Sequence, residues 1–144
     1  MNILGINAYH ADISAVLLRD GELVVAAEEE RFNRIKHVAG FPVQAIHKCL
    51  EIAGLVPAEI DHFAVSRNPR ANLARKGWFA LTQRPSFDLI RRRAKNQSQV
   101  AALPEVIAQT LELDPQRVRR RFHWIEHHPC HLASAFFVSP FEDP

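Results

Sequence analysis

The chain has 144 residues, which suits one domain that buries about 70% of the surface its unfolded chain exposes. Hydrophobic residues make up 47% and charged residues 24%, an ordinary globular balance that excludes disorder along the whole length. The formal net charge of +2 is too small to point to nucleic acid by itself, and no apolar run approaches the roughly 20 residues that span a bilayer.

Ile3–Ile6 is short and apolar and reads as a strand, without the basic region and long apolar core of a signal peptide. Ile13–Leu18 reads as a second strand. Asp20-Gly21 is a two-residue hairpin signal between β-rich runs, so Glu22–Ala27 becomes the third strand. Val43, Ile46, Cys49, Leu50 and Ala53 recur at helical spacing after Pro42, and Gly54 stops the run. Ile60–Ser66 reads as a fourth strand. Gln97–Leu111 reads as a second long helix with Val100, Leu103, Ile107 and Leu111 on one face. Arg121–Ile125 follows as a fifth strand, and His131–Val138 as a helix whose Leu132, Ala133, Ala135, Phe136 and Phe137 are expected to be buried.

The expected fold is therefore α/β, in the order βββαβαβα. That is the succession of a single ribonuclease-H-like lobe, the unit that actin-like and sugar-kinase-like proteins use twice, and no internal repeat supplies a second lobe. An insertion over about 67–96 carries nine Lys or Arg against one acid, Asp88, with Trp78, Phe79, Leu81, Phe87, Leu89 and Ile90 interleaved. It reads as an amphipathic helical insertion with a solvated basic face, or as an anion-attracting surface; no recognised nucleic-acid motif accompanies the charge. The last residues, Phe141-Glu142-Asp143-Pro144, close no element, and a longer protein is expected.

Three segments bear chemistry. His127 and His131 are four apart at the end of strand five, on one face if the turn is helical, and imidazole nitrogen suits Zn, Fe, Mn or Ni. His128 points off that face. Two ligands are too few for a tight site, and the alternative is a capped helix start with surface histidines. In the loop after strand one, His10 has the chemistry of a general base at neutral pH, and Asp12 of a group that orients a histidine or holds a hydroxyl; a polar hairpin tip is the plainer reading. After strand three, Arg31, Arg34, Lys36 and His37 form a cationic cluster, either solvated or placed to grip a phosphate. Cys49 and Cys130 make no disulfide framework, so a reducing cytoplasm is the expected compartment.

Together these blocks resemble the O-carbamoyltransferases of the nodulation and the cephamycin and aminoglycoside antibiotic pathways. The resemblance rests on Gly5-Ile6-Asn7-Ala8-Tyr9-His10-Ala11-Asp12-Ile13-Ser14-Ala15, then Glu28-Glu29-Glu30-Arg31-Phe32-Asn33-Arg34-Ile35-Lys36-His37, then His127-His128-Pro129-Cys130-His131-Leu132-Ala133-Ser134-Ala135-Phe136-Phe137, with Ser139-Pro140-Phe141 behind. It implies that the chain is the N-terminal lobe of such an enzyme, with His127 and His131 as metal ligands, the metal usually Fe(II). It implies His10 as the base for the acceptor hydroxyl, Asp12 as an acceptor-binding carboxylate and Lys36 as a carbamoyl-phosphate contact. ATP and carbamoyl phosphate would be substrates of the full-length protein, joined as a carbamoyl-adenylate in a C-terminal YrdC-like domain. The partners implied are a small-molecule acceptor and the C-terminal remainder of the enzyme, with a homodimer allowed.

Two departures from the pattern stand out. Many members carry His directly before Asp, where this chain has Ala11. The family's next landmark is an Asp-Gly-containing strand that supplies a further ligand, and the 144 residues do not reach it, so the chain alone is expected to be inactive. Two other readings are a non-catalytic actin-like module that holds an anionic partner through the basic insertion, and a threonylcarbamoyl-type tRNA-modifying protein.

Overall fold

The structure is a computed structural model that describes residues 1–10, 12–68, 78, 82, 91, 97–137 and 139–140. Strands β1 (Asn2–Asn7), β2 (Ser14–Arg19) and β3 (Glu22–Glu28) are followed by a one-turn helix α1 (Glu30–Asn33), helix α2 (Val43–Ala53) and strand β4 (His62–Val65). A 3-10 turn (Pro57–Glu59) precedes β4, and helices α3 (Leu103–Thr110) and α4 (Pro115–Arg120), strand β5 (Phe122–Trp124) and helix α5 (His127–Phe136) follow among the described residues. The short α1 and α4 stand outside the expected succession. The five strands form one mixed sheet in the order β3-β2-β1-β4-β5, with β1–β2 and β2–β3 antiparallel and β1–β4 and β4–β5 parallel.

Period-two alternation sets which face is the core. Leu4 and Ile6 of β1, Ala15 and Leu17 of β2, and Phe63 and Val65 of β4 all point to one side and are buried. Ile46, Cys49 and Leu50 of α2 and Leu103 and Ile107 of α3 join the same cluster. The β2–β3 hairpin turns through Asp20 (φ 54°) and Gly21 (φ 90°), the left-handed pair that matches strand twist. Gly54 ends α2 at φ 63°, its N–H donating to the Leu50 and Glu51 carbonyls.

Helix α2 has no side-chain cap from its own N-cap residue, Pro42. Glu29, reached over the end of β3, caps it instead. Its carboxylate accepts from the Ala45 N–H at 2.8 Å, the Gln44 N–H at 3.2 Å and the Gln44 Nε2 at 3.3 Å. Glu29 is the one buried charged side chain among the described residues.

Three expectations need correction. The helix over Gln97–Leu111 is interrupted: residues 97–101 are helical, Ala102 turns, and α3 starts at Leu103 with Pro104 in its first turn. Pro104 has no N–H to donate to the carbonyl four residues back and its ring crowds that carbonyl, so it fits the first turn of a new helix and not the interior of a continuous one. Strand five is shorter than Arg121–Ile125, because Asp114 caps α4 through the Gln116 and Arg117 N–H groups, and Arg121 is spent as that helix's C-cap. Helix α5 begins at His127, not His131, and carries no buried residue; Leu132 is 72% and Phe137 80% exposed. An apolar run states a need for cover, and the described residues do not supply it. The basic insertion over 67–96 lies outside the described residues apart from Arg67, Asn68, Trp78, Thr82 and Arg91. No helix among the described residues is long and apolar enough to cross a membrane.

Candidate functional site

Parallel strands β1, β4 and β5 end at the same edge of the sheet, the position at which open α/β sheets bind ligands. Asn7 ends β1, Ser66 and Arg67 follow β4, and Glu126 and His127 follow β5, whose Ile125 N–H still donates to the Val65 carbonyl at 2.9 Å. These ends open a cleft of about 230 Å³ lined by Asn7, His10, Ser66, Arg67 and His127. The ring centroids of His10 and His127 are 6.3 Å apart, so the expected base and one expected metal ligand do face a common space.

The loop that carries His10 is held from three sides. Tyr9 sits at φ 55° and donates its N–H to the Gly40 carbonyl at 2.7 Å, while its own carbonyl accepts from Arg67 Nη1 at 2.9 Å. Asn7 Nδ2 donates to the Asp12 carbonyl at 3.0 Å. Asp12, at φ 62°, meets His37, at φ 54°: Oδ1 and Nδ1 are 2.7 Å apart. Non-glycine residues in the left-handed region persist only where their surroundings hold them. Asp12 and Lys36 do not line the cleft itself; the Asp12–His37 contact fastens the turn with Lys36 beside the His10 loop.

At the start of α5, His127 Nε2 and His131 Nε2 lie 3.0 Å apart, with ring centroids 4.5 Å apart and planes at 88°. That separation equals the chord of two metal–nitrogen bonds of about 2.1 Å that meet near a right angle, so the pair fits two ligand positions of a first-row divalent ion. Among the described residues no group of three or more His, Cys, Asp or Glu could hold a metal. Burial, then the nearby Glu126 charge, pushes the Cys130 thiol pKa up. His128 points elsewhere: its Nδ1 lies 2.9 Å from Glu126 Oε1, and its N–H donates to Oε2 at 3.1 Å. Glu126 thereby caps α5 and fixes the turn that presents both imidazoles; the His128 hydrogen bond holds its carboxyl below the usual range.

Asn7, Ser66 and Arg67 were not expected as site residues. Arg67 falls at the edge of a long basic run, which hides that it belongs to the end of β4; the strand's C-terminal position was the available signal. Cys49 and Cys130 are both free thiols.

Residues 2–144 match the Carbamoyltransferase N-terminus family. The uncharacterized protein sll1178 of Synechocystis is 36% identical over 147 residues, covering 99% of this chain and 24% of that protein. The nodulation protein NolNO of Sinorhizobium fredii is 33% identical over 145 residues, covering 94% of this chain and 19% of that protein. An uncharacterized 19.2 kDa protein of Rhizobium etli is 43% identical over 58 residues, 40% of this chain and 34% of that one. The chain thus spans about a quarter or less of the length of the two relatives that match it nearly throughout. On the family match, the chain belongs to the Carbamoyltransferase N-terminus family.

Proposed function

We propose that the chain supplies the acceptor-activating and metal-binding lobe of an O-carbamoyltransferase that moves a carbamoyl group to the hydroxyl of a small molecule. The single observation that carries this is the meeting of His127 and His131 Nε2 at 3.0 Å, with His127 lining the cleft that His10 also lines. The strand order β3-β2-β1-β4-β5 supports a ribonuclease-H-like lobe of the actin and sugar-kinase type. Carbamoyl phosphate and ATP are the proposed co-substrates, joined as a carbamoyl-adenylate elsewhere in the full-length protein, and Fe(II) the proposed metal.

His127 and His131 would hold the ion, which when bound supplies Lewis acidity to a carbonyl oxygen. His10 accepts the proton of the acceptor hydroxyl, a task its imidazole suits at neutral pH. Asp12 orients His37 and, through it, the turn that bears Lys36, a mobile cation for a phosphoryl group. Asn7 braces the loop by its bond to the Asp12 carbonyl.

The test uses the full-length protein. His127→Ala and His131→Ala should each lose bound metal, measured by elemental analysis, together with transfer from labelled carbamoyl phosphate. If His127→Ala keeps both metal and activity, the proposal fails. The 144-residue chain alone should transfer nothing, because it brings two ligands and one wall of a cleft.

A further inference from the structure

A second imidazole pair sits away from the cleft, on the outer face of the same sheet. Phe63 and Val65 of β4 are buried, so His62 and Ala64, which alternate with them, point the other way. In β5, Phe122 and Trp124 pack against the core, and His123 between them is exposed. The register sets Ala64 opposite His123, which leaves His62 one step along the diagonal of that face. There His123 Nε2 and His62 Nδ1 meet at 3.0 Å, with ring centroids 4.9 Å apart and planes at 61°.

Two neutral imidazoles at this distance share one N–H, one nitrogen donating and the other accepting. A divalent ion can take the place of that proton. Two metal–nitrogen bonds of about 2.1 Å that meet near a right angle span the same separation, and an exposed ring is free to turn its lone pair onto the ion. The fixed charges nearby offset each other. Asp61 precedes His62 and accepts from the Asn2 N–H at 2.8 Å; Arg121 leads into β5 and donates from Nη1 to the Ile60 carbonyl at 2.9 Å. Imidazole nitrogen in place of hard oxygen selects Zn(II), Ni(II) or Cu(II) over Mg(II). We propose that His62 and His123 form a chelating clamp for a borderline divalent cation such as Zn(II), and that the ion ties β5 to β4. Strand β5 has 3 residues and, among the described residues, pairs with β4 alone. Its hold on β4 includes the Phe63 N–H to the Arg121 carbonyl and the Ile125 N–H to the Val65 carbonyl, each at 2.9 Å. Whatever secures that short strand also secures the point at which it delivers Glu126 and His127. With two protein ligands, water completes the coordination and the site is weak. The clamp shares no residue with the His127–His131 pair and does not depend on it.

Titration with zinc chloride, followed by calorimetry and by the imidazole NMR signals, tests the clamp in the chain itself and in a His127→Ala/His131→Ala background that lacks the other pair. The expected result in that background is one ion per chain, bound saturably between micromolar and millimolar concentrations, with the His62 and His123 rings shifting together. His62→Gln and His123→Gln should each weaken binding about tenfold or more, since even the loss of an outer-shell partner costs a metal that much. Amide exchange at Phe63 and Ile125 should slow in saturating zinc, and in neither variant. At zinc about a hundred times Kd the folding equilibrium should shift about a hundredfold toward the folded state, read as a raised Tm. Unweakened binding to folded His62→Gln and His123→Gln would overturn the proposal. So would zinc shifts confined to the other histidine rings, no saturable binding below millimolar zinc, or magnesium chloride moving His62 and His123 as zinc does.

Discussion

Replacing Glu29 by alanine removes three hydrogen bonds at once, and the structure says how much each matters. Gln44 is exposed, so its N–H and side-chain amide turn to water when the carboxylate goes. Ala45 is fully buried, so its N–H, now 2.8 Å from Oε2, is left without a partner. Loss of a helix cap costs about 0.5–2 kcal/mol, and because the orphaned Ala45 donor is buried the loss belongs at the upper end, about 2 kcal/mol. A domain of this kind is stable by about 5–15 kcal/mol, so Glu29→Ala should still fold, with a visibly lower urea midpoint and an unchanged denaturant slope. Glu29→Gln keeps one acceptor oxygen and should lose less. The effect should also reach the cleft: α2 starts directly after the segment in which Gly40 accepts from Tyr9, so His10 ring signals should shift. A loss below about 1 kcal/mol in Glu29→Ala, at equal slope, would refute the reading of Glu29 as the cap of α2.

Three further outcomes are expected. A Cβ at Gly5 would sit 2.6 Å from Val16 Cγ1 on the neighbouring strand; Gly5→Ala should destabilise by about 1–3 kcal/mol as overpacking does, and Val16→Ala should recover most of it in a double-mutant cycle read by thermal unfolding. Asp114→Ala should cost about 1 kcal/mol by removing the cap on the Gln116 and Arg117 N–H groups, measured by urea unfolding. The Glu126 pKa is lowered in the fold, chiefly by the His128 hydrogen bond, so its cap on α5 is fully present above the ordinary glutamate pKa of about 4.3 and is lost as pH falls through the lower folded value. Amide-exchange protection of the His128 N–H should therefore persist to below that pH and then disappear, and Glu126→Gln should abolish this acid step.

How much of this was legible follows from what each residue must satisfy. The strands were, because Leu4/Ile6, Ala15/Leu17 and Phe63/Val65 alternate into one core; so was the Asp20-Gly21 hairpin, whose left-handed pair needs those residue types. The break before α3 and the extra helix α4 were signalled by Pro104 and Asp114-Pro115, which a single apolar stripe over Gln97–Leu111 overrode. Burial of α5 was misread because hydrophobicity specifies a need for cover, not where the cover comes from. The pairing of His127 with His131 followed from spacing once the turn is helical, whereas Arg67 was lost in a compositional run. The charge run Glu28-Glu29-Glu30 is the most instructive case. As composition it is three solvated acids. As a continuation of β3 it is not: Val25 and Ala27 face the core while Ala26 and Glu28 face out, so Glu29 must turn inward. An inward carboxylate without a partner would be costly, and the first helix turn that the sequence starts after Pro42, with no capping side chain of its own, is the set of unpaired donors that such a carboxylate requires.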